Sequence, residues 1–160
     1  MDAAAKKTVL RQFPYGLYAV TVAHGGEEHG MTANWVTQVA FEPPMVTVAV
    51  ENTSLTIEMI RDAHSFAISV LHEGQRDLAA KLGKASGQSP GKLNGIRTKP
   101  APVTNTPVLA DCVGWLECRV ITALPAGDHT IVLGEVIEAG VEQGDAKPLT
   151  LGAAGFKYSG

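Results

Sequence analysis

Apolar positions along the chain change their spacing from one stretch to the next, and each spacing predicts an element. Residues 3–12 predict a short N-terminal helix that stops ahead of Pro14, because a proline holds the residue before it in extended backbone. Residues 15–22 are apolar on both faces, which predicts a strand covered on each side and therefore central. His24-Gly25-Gly26-Glu27-Glu28 predicts a turn, so the segment after it is expected to pair back as a hairpin. Beyond Pro43 and Pro44, residues 45–50 are β-branched and apolar, a buried strand. Asn52-Thr53-Ser54 offers helix caps, and Leu55, Met59 and Ala63 follow at i, i+4 and i+8 on one helical face. Residues 65–71 predict another strand, and residues 74–82 a helix with Leu78 and Leu82 four apart.

Residues 83–100, GKASGQSPGKLNGIRTKP, predict a long loop of the kind that often carries function. Residues 113–121 alternate, with Leu116, Cys118 and Val120 on one side and Glu117 and Arg119 on the other. Ala126-Gly127-Asp128 predicts a turn, residues 130–137 a partner strand, and residues 148–151 a last short strand. The tally is about six strands and two or three helices without a βαβ rhythm, which predicts a mainly β antiparallel barrel with peripheral helices. No repeat or linker divides the 160 residues, so one domain over 1–160 is expected.

One stretch breaks the apolar pattern. In HGMTANWVTQVAFEPPMVTVAV, residues 29–50, strand alternation puts Thr32, Asn34, Val36 and Gln38 on one face and Met31, Ala33, Trp35 and Thr37 on the other. Buried polar groups need partners. Cross-strand and loop bonding would supply them, and so would a flat polar ligand. A second cluster, residues 51–56, runs into a helix start, where free amides and a partial positive potential make a seat for phosphate. A third is the loop from Gly83, with Lys84 and Lys92 available to an anion. The fourth is Gly127-Asp128-His129, a turn ahead of a strand.

Composition narrows the choices. A net charge of -3 gives no electrostatic basis for binding nucleic acid. Apolar runs are shorter than a membrane span, and the N-terminal residues lack the apolar core of a signal peptide. On one strand Cys112 and Cys118 would lie roughly 20 Å apart, too far for a disulfide. Reduced thiols and no export signal predict a cytoplasmic protein. Hydrolase, P-loop and dinucleotide fingerprints are absent, five scattered histidines form no i, i+4 pair, and no metal site is expected.

The blocks FPYGLYAVTV, GMTANWVTQVAFEPPMVTVAV, SFAISVLHEGQ, WLECRV and GDHTIVLGEV, in this order from Phe13 to about Val136, resemble the flavin reductase-like family. The resemblance implies a six-stranded antiparallel split barrel that binds FMN, a homodimer with flavin at or near the subunit interface, and NAD(P)H:flavin oxidoreductase activity. It implies that Met31, Thr32, Ala33, Asn34, Trp35, Val36 and Thr37 line the isoalloxazine ring. Asn52, Thr53, Ser54 and Thr56 would approach the ribityl phosphate, with Leu82, Gly83 and Lys84 closing over it. His129 would stand near the ring or the incoming NADH or NADPH. Orienting two stacked rings for hydride transfer needs no triad, so the missing signatures agree with this chemistry. Many relatives carry a basic residue where this chain reads Glu51-Asn52-Thr53-Ser54, which leaves the phosphate to amides, hydroxyls and Lys84. Family members also supply reduced flavin to a monooxygenase or exchange electrons with a redox protein. A flavoredoxin-like FMN carrier and a non-catalytic flavin- or haem-binding module are therefore the alternative readings.

Overall fold

The structure is a computed structural model that describes residues 1–158. Its strands are β1 (Tyr18–His24), β2 (Glu27–Ala33), β3 (Val36–Ala40), β4 (Met45–Glu51), β5 (Ser65–Val70), β6 (Thr98–Pro100), β7 (Pro107–Leu109), β8 (Gly114–Ala126) and β9 (His129–Val141). Seven of them form one antiparallel sheet in the order β2-β1-β5-β8-β9-β4-β3, and β6 and β7 make a separate ribbon. The helices are α1 (Ala3–Leu10), α2 (Leu55–Ala63), α3 (Arg76–Leu82) and α4 (Leu151–Ala154).

The two-faced pattern of the central strands decides where everything else packs. On β1, Ala19 faces one apolar cluster, whereas Val20 and Val22 face another. On β5, Ala67 faces the first cluster and Phe66 and Ile68 the second. Two faces that must both leave water need two covers. Ala79 and Leu82 of α3, with Val108 and Leu109 of the ribbon, cover the first. Ile57, Met59 and Ile60 of α2 fill the second. Two buried hydroxyls fasten the ribbon: Thr21 Oγ1 donates to the Pro107 carbonyl at 2.5 Å, and Ser69 Oγ accepts from Leu109 N at 3.1 Å.

Most predicted elements stand where the pattern put them, including the central strand, the hairpin at Gly25-Gly26 and the three helices. Both cysteines are free and buried. The departures have local causes. The polar stretch forms two strands instead of one, because the backbone leaves the ladder at Asn34-Trp35; this break takes the main sheet to seven strands, one more than expected. On α2 the buried face is Thr56, Ile57, Met59 and Ile60, while Leu55 is turned toward solvent. A bulge between Glu117 and Cys118 interrupts the β8 alternation, so both residues are fully buried. Glu117 is kept there by Thr104, which donates its amide at 2.5 Å and its hydroxyl at 2.6 Å to Oε1. Residues 148–151 form single bridges, Gly16 with Thr150 and His72 with Pro148, and then enter α4.

Gly134 of β9 shows how tightly the second cluster is filled. A Cβ there would lie 2.7 Å from the Phe66 ring and 3.0 Å from Cys118 Cβ. Phe66 is fully buried and has no room to retreat. Gly134→Ala is therefore expected to lower stability by about 1–3 kcal/mol, the usual cost of overpacking. Chemical denaturation of the two proteins measures it, and an unchanged midpoint would mean that this core is loosely packed.

Candidate functional site

The two helices lie on opposite covers of the sheet, and a cleft of about 910 Å³ opens between them. Four segments supply most of its wall: the end of β2, the β4–α2 connection with the start of α2, the C-terminal end of α3 with its loop, and residues 156–158.

Met31, Thr32, Ala33 and Asn34 come from the end of β2. Thr32 Oγ1 donates to the Ala79 carbonyl at 2.8 Å and so fixes α3 against this strand. Asn34 is buried, and its Nδ2 donates to the Tyr158 carbonyl at 3.1 Å. Opposite them, Thr53, Ser54 and Thr56 form the start of α2. Ser54 is the N-cap, its hydroxyl accepting from Ile57 N at 3.3 Å. First-turn amides have no partner within a helix. Thr56 Oγ1 adds a second opening for a ligand, since it is buried and has no hydrogen-bond partner. An orphaned hydroxyl costs stability unless something meets it.

Leu82, Gly83 and Lys84 line the cleft from the end of α3. Behind them is Lys92, a residue 4% exposed whose ammonium donates to the carbonyls of Leu82 at 3.0 Å and Lys84 at 2.9 Å. A cation at a helix C-terminus is favourably placed, and burial lowers the Lys92 pKa. His29 is also buried, with Nε2 3.2 Å from Ser86 Oγ. Burial, and then the positive Lys92, pull its pKa down to about 4.

The rim carries a chain of polar contacts. Asp128 Oδ1 lies 2.7 Å from His129 Nδ1, and His129 Nε2 lies 3.2 Å from the Tyr158 hydroxyl. That hydroxyl donates to Glu51 Oε1 at 2.5 Å. Its burial and the adjacent Glu51 carboxylate push the phenol pKa up, so Tyr158 keeps its proton. The bond from His129 holds Asp128 below the usual carboxylate range.

Ten of the fifteen residues expected to form the site line the cleft: Met31, Thr32, Ala33, Asn34, Thr53, Ser54, Thr56, Leu82, Gly83 and Lys84. The other five stand outside its wall. Val36 and Thr37 belong to β3, where they pair with Val48 and Thr47. Asn52 is engaged by its own fold, donating to the Gly127 carbonyl at 2.9 Å and accepting from Thr130 Oγ1 at 2.7 Å. Trp35 and His129 pack on each other with ring centroids 4.8 Å apart, behind Tyr158. Glu51 belongs to the cluster at residues 51–56 but was assigned no role there, whereas Ser86 and Tyr158 are wall residues that the sequence did not single out. Glu51, next to the cap residues, had a signal in its position; Tyr158, 124 residues from Asn34, had none. Among the described residues, no group of three or more His, Cys, Asp or Glu is placed to hold a metal, and no helix is long and apolar enough to cross a membrane.

An antiparallel barrel whose cleft joins a polar strand end to a helix N-terminus offers polar groups and free amides to a small-molecule ligand. Residues 10–159 match the flavin reductase like domain, and the chain belongs to that family. It is 35% identical over 140 residues to the NADH-dependent FAD reductase of Streptomyces globisporus, covering 86% of this chain and 76% of that protein. It is 33% identical over 150 residues to the reductase component of a Rhodococcus opacus 4-nitrophenol monooxygenase, covering 94% and 77%. Among solved structures, the Streptomyces globisporus NADH:FAD oxidoreductase in complex with NAD and FAD fragments superposes with a TM-score of 0.81 at 31% identity, covering 91% of this chain and 86% of that one. The fold is the split barrel of these flavin reductases.

The buried His29 gives a test of the site's architecture. A histidine whose folded pKa is depressed stabilises the protein above its unfolded pKa, near 6.5, and loses that contribution as pH falls toward about 4. The loss amounts to about 3 kcal/mol at most. Between pH 7 and pH 4.5 the melting temperature of the wild type should therefore fall further than that of His29→Gln. Parallel falls in thermal scans would show that His29 is free to protonate in the folded state.

Proposed function

We propose that the chain is an NADH-dependent flavin reductase that holds FMN in the cleft and directs hydride from nicotinamide C4 to flavin N5. The observation that supports this most directly is Thr56: a buried, unpartnered hydroxyl in the first turn of α2, on the wall of a cleft of about 910 Å³, in a chain of the flavin reductase family. When bound, flavin supplies the two-electron chemistry and the protein supplies position.

Each wall then has a task. Thr32, Asn34 and the backbone of residues 31–34 meet the polar edge of the ring. Thr53, Ser54 and Thr56 receive the phosphate with the free amides of α2, and Lys84 adds positive charge, while Leu82 and Gly83 shape the wall between them. His129 serves the nicotinamide side. Trp35, Val36, Thr37 and Asn52 act from behind, Trp35 by backing His129 and Asn52 by fixing the turn at Gly127. Orientation of two rings in a cleft that limits water is the principal contribution to rate.

The 160 residues act as one flavin-binding domain in the cytoplasm. Two copies pair through the β3–β8 side of the sheet, where Val39, Phe41, Ile121 and Leu124 are exposed apolar residues. Reduced flavin passes to a monooxygenase, the role carried in the name of the Rhodococcus opacus relative. One observation favours the FMN-carrier reading: His129 is only 8% exposed beneath Tyr158.

Purified protein mixed with NADH or NADPH and free FMN separates the readings by absorbance at the nicotinamide band. Continuous oxidation, faster with NADH, is the expected result; a yellow protein reduced once and no further would establish the carrier. Thr56→Val should weaken FMN binding about tenfold, the value of one hydrogen bond to a charged group, without lowering the melting temperature. Lys84→Ala should weaken it as well, and FMN titrations that leave both variants at wild-type affinity would remove the phosphate from this end. In sedimentation, Phe41→Asp should shift a dimer to monomer, and a wild type that sediments as a monomer would reject the pairing.

A further inference from the structure

We infer that residues 156–158 form a displaceable strap across the nicotinamide side of the cleft, and that Tyr158 is the group an incoming nicotinamide must move aside. The inference rests on the reading of His129 as the nicotinamide-side residue.

The strap has a firm root and a light fastening. Gly155 ends α4 in the left-handed region, φ 71°, and turns the chain off the helix. Phe156 then packs against the first apolar cluster, with the Arg76 guanidinium 5.2 Å from its ring centroid and its amide bonded to the Leu151 carbonyl at 3.2 Å. Beyond that root, Tyr158 supplies the attachments. Its carbonyl accepts from Asn34, and its hydroxyl touches His129 and Glu51. Its ring centroid lies 5.6 Å from that of Trp35 and 6.5 Å from that of His129.

These contacts fall on the groups the reaction needs. Asn34 is assigned to the flavin edge and His129 to the nicotinamide, and both are occupied by one residue. His129 is 8% exposed, with Trp35 packed against it and Tyr158 on its Nε2. No ring can contact that nitrogen while the phenol stays. The phenol itself is a flat ring among aromatic neighbours, so it competes for the kind of surface a nicotinamide would use. Tyr158 is 42% exposed, and hydrogen bonds so near solvent are readily exchanged for water. Binding that requires the open form is weakened by the fraction of molecules that are closed. Tyr158 therefore sets the apparent affinity for nicotinamide without belonging to the chemical step.

Two measurements test this on the full chain. First, His129 is modified with diethyl pyrocarbonate and the modified peptide is quantified by mass spectrometry. Tyr158→Ala should raise the modification rate several-fold over wild type, Tyr158→Phe by less, because the ring stays while both hydroxyl contacts go. Second, steady-state kinetics should show KM for NADH falling about threefold or more in Tyr158→Ala, with kcat little changed, as expected when a closed population is removed. Equal modification rates, or faster modification with KM unchanged or raised, would overturn the proposal. Should Tyr158→Ala fail to fold, Tyr158→Phe carries both measurements with the same signs. A wild type that oxidises no NADH would defeat the reductase reading alone, and the modification rates would still decide whether the strap exists.

Discussion

The packing of β1 against β5 is the constraint from which the rest of the molecule follows. Each strand is apolar on both faces, and neither face can stay in water. One cover is α2, with Ile57 and Ile60 inside the barrel; the other is α3 with the β6–β7 ribbon. Helices forced to opposite sides of one sheet leave a seam where the sheet ends. β2 reaches that seam with Met31 to Asn34, and the cleft opens there. The site is thus a consequence of how the core is divided. Thr32 shows the coupling directly, since one hydroxyl bond to Ala79 sets the distance between the strand and α3.

What could be read from the chain, and what could not, divides along the same lines. Elements whose signal is local were legible: the two-faced central strand, the Gly25-Gly26 turn, and the caps ahead of α2. Irregularities were not, because nothing in an alternating pattern announces where the alternation stops. The β8 bulge places Glu117 in the core, although its position in the pattern assigns it to solvent. The break at Asn34-Trp35 likewise explains the divided fate of the polar stretch. Met31 to Asn34 line the cleft, and Trp35 to Gln38 do not. Thr56 lay among the candidates, yet its importance comes from the absence of any protein partner, a property only the folded chain has. Tyr158 belongs to a third kind. Its contacts reach back across most of the sequence, and a Phe-Lys-Tyr segment gives no local hint of them.

Charges of both signs line the cleft. Lys84, Lys92 and Lys157 line the wall with Glu51 and Glu58. Lys92 is the least available of the three cations, since two of its three protons are already given to carbonyls at the end of α3. Its charge still reaches His29, which stays neutral beside it. Glu51 acts in the opposite sense. It holds the Tyr158 hydroxyl at the rim, and a carboxylate there repels any phosphate that enters ring last. Glu58 lies in the first turn of α2, so what suits that end to an anion is the free amides of the helix start and the unpartnered Thr56 hydroxyl rather than net charge.

The Glu51 carboxylate also bears on access. Glu51 pairs with His129 across β4 and β9, so the two residues that hold the Tyr158 hydroxyl are neighbours in one ladder. Backbone pairing fixes their separation, and the strap can leave without disturbing either. Opening therefore needs no rearrangement of the barrel; it exchanges the contacts of one tyrosine for water or for a ligand. On the proposed reading the sheet positions the reacting groups while the tail yields, which keeps the geometry of hydride transfer independent of how often the cleft opens.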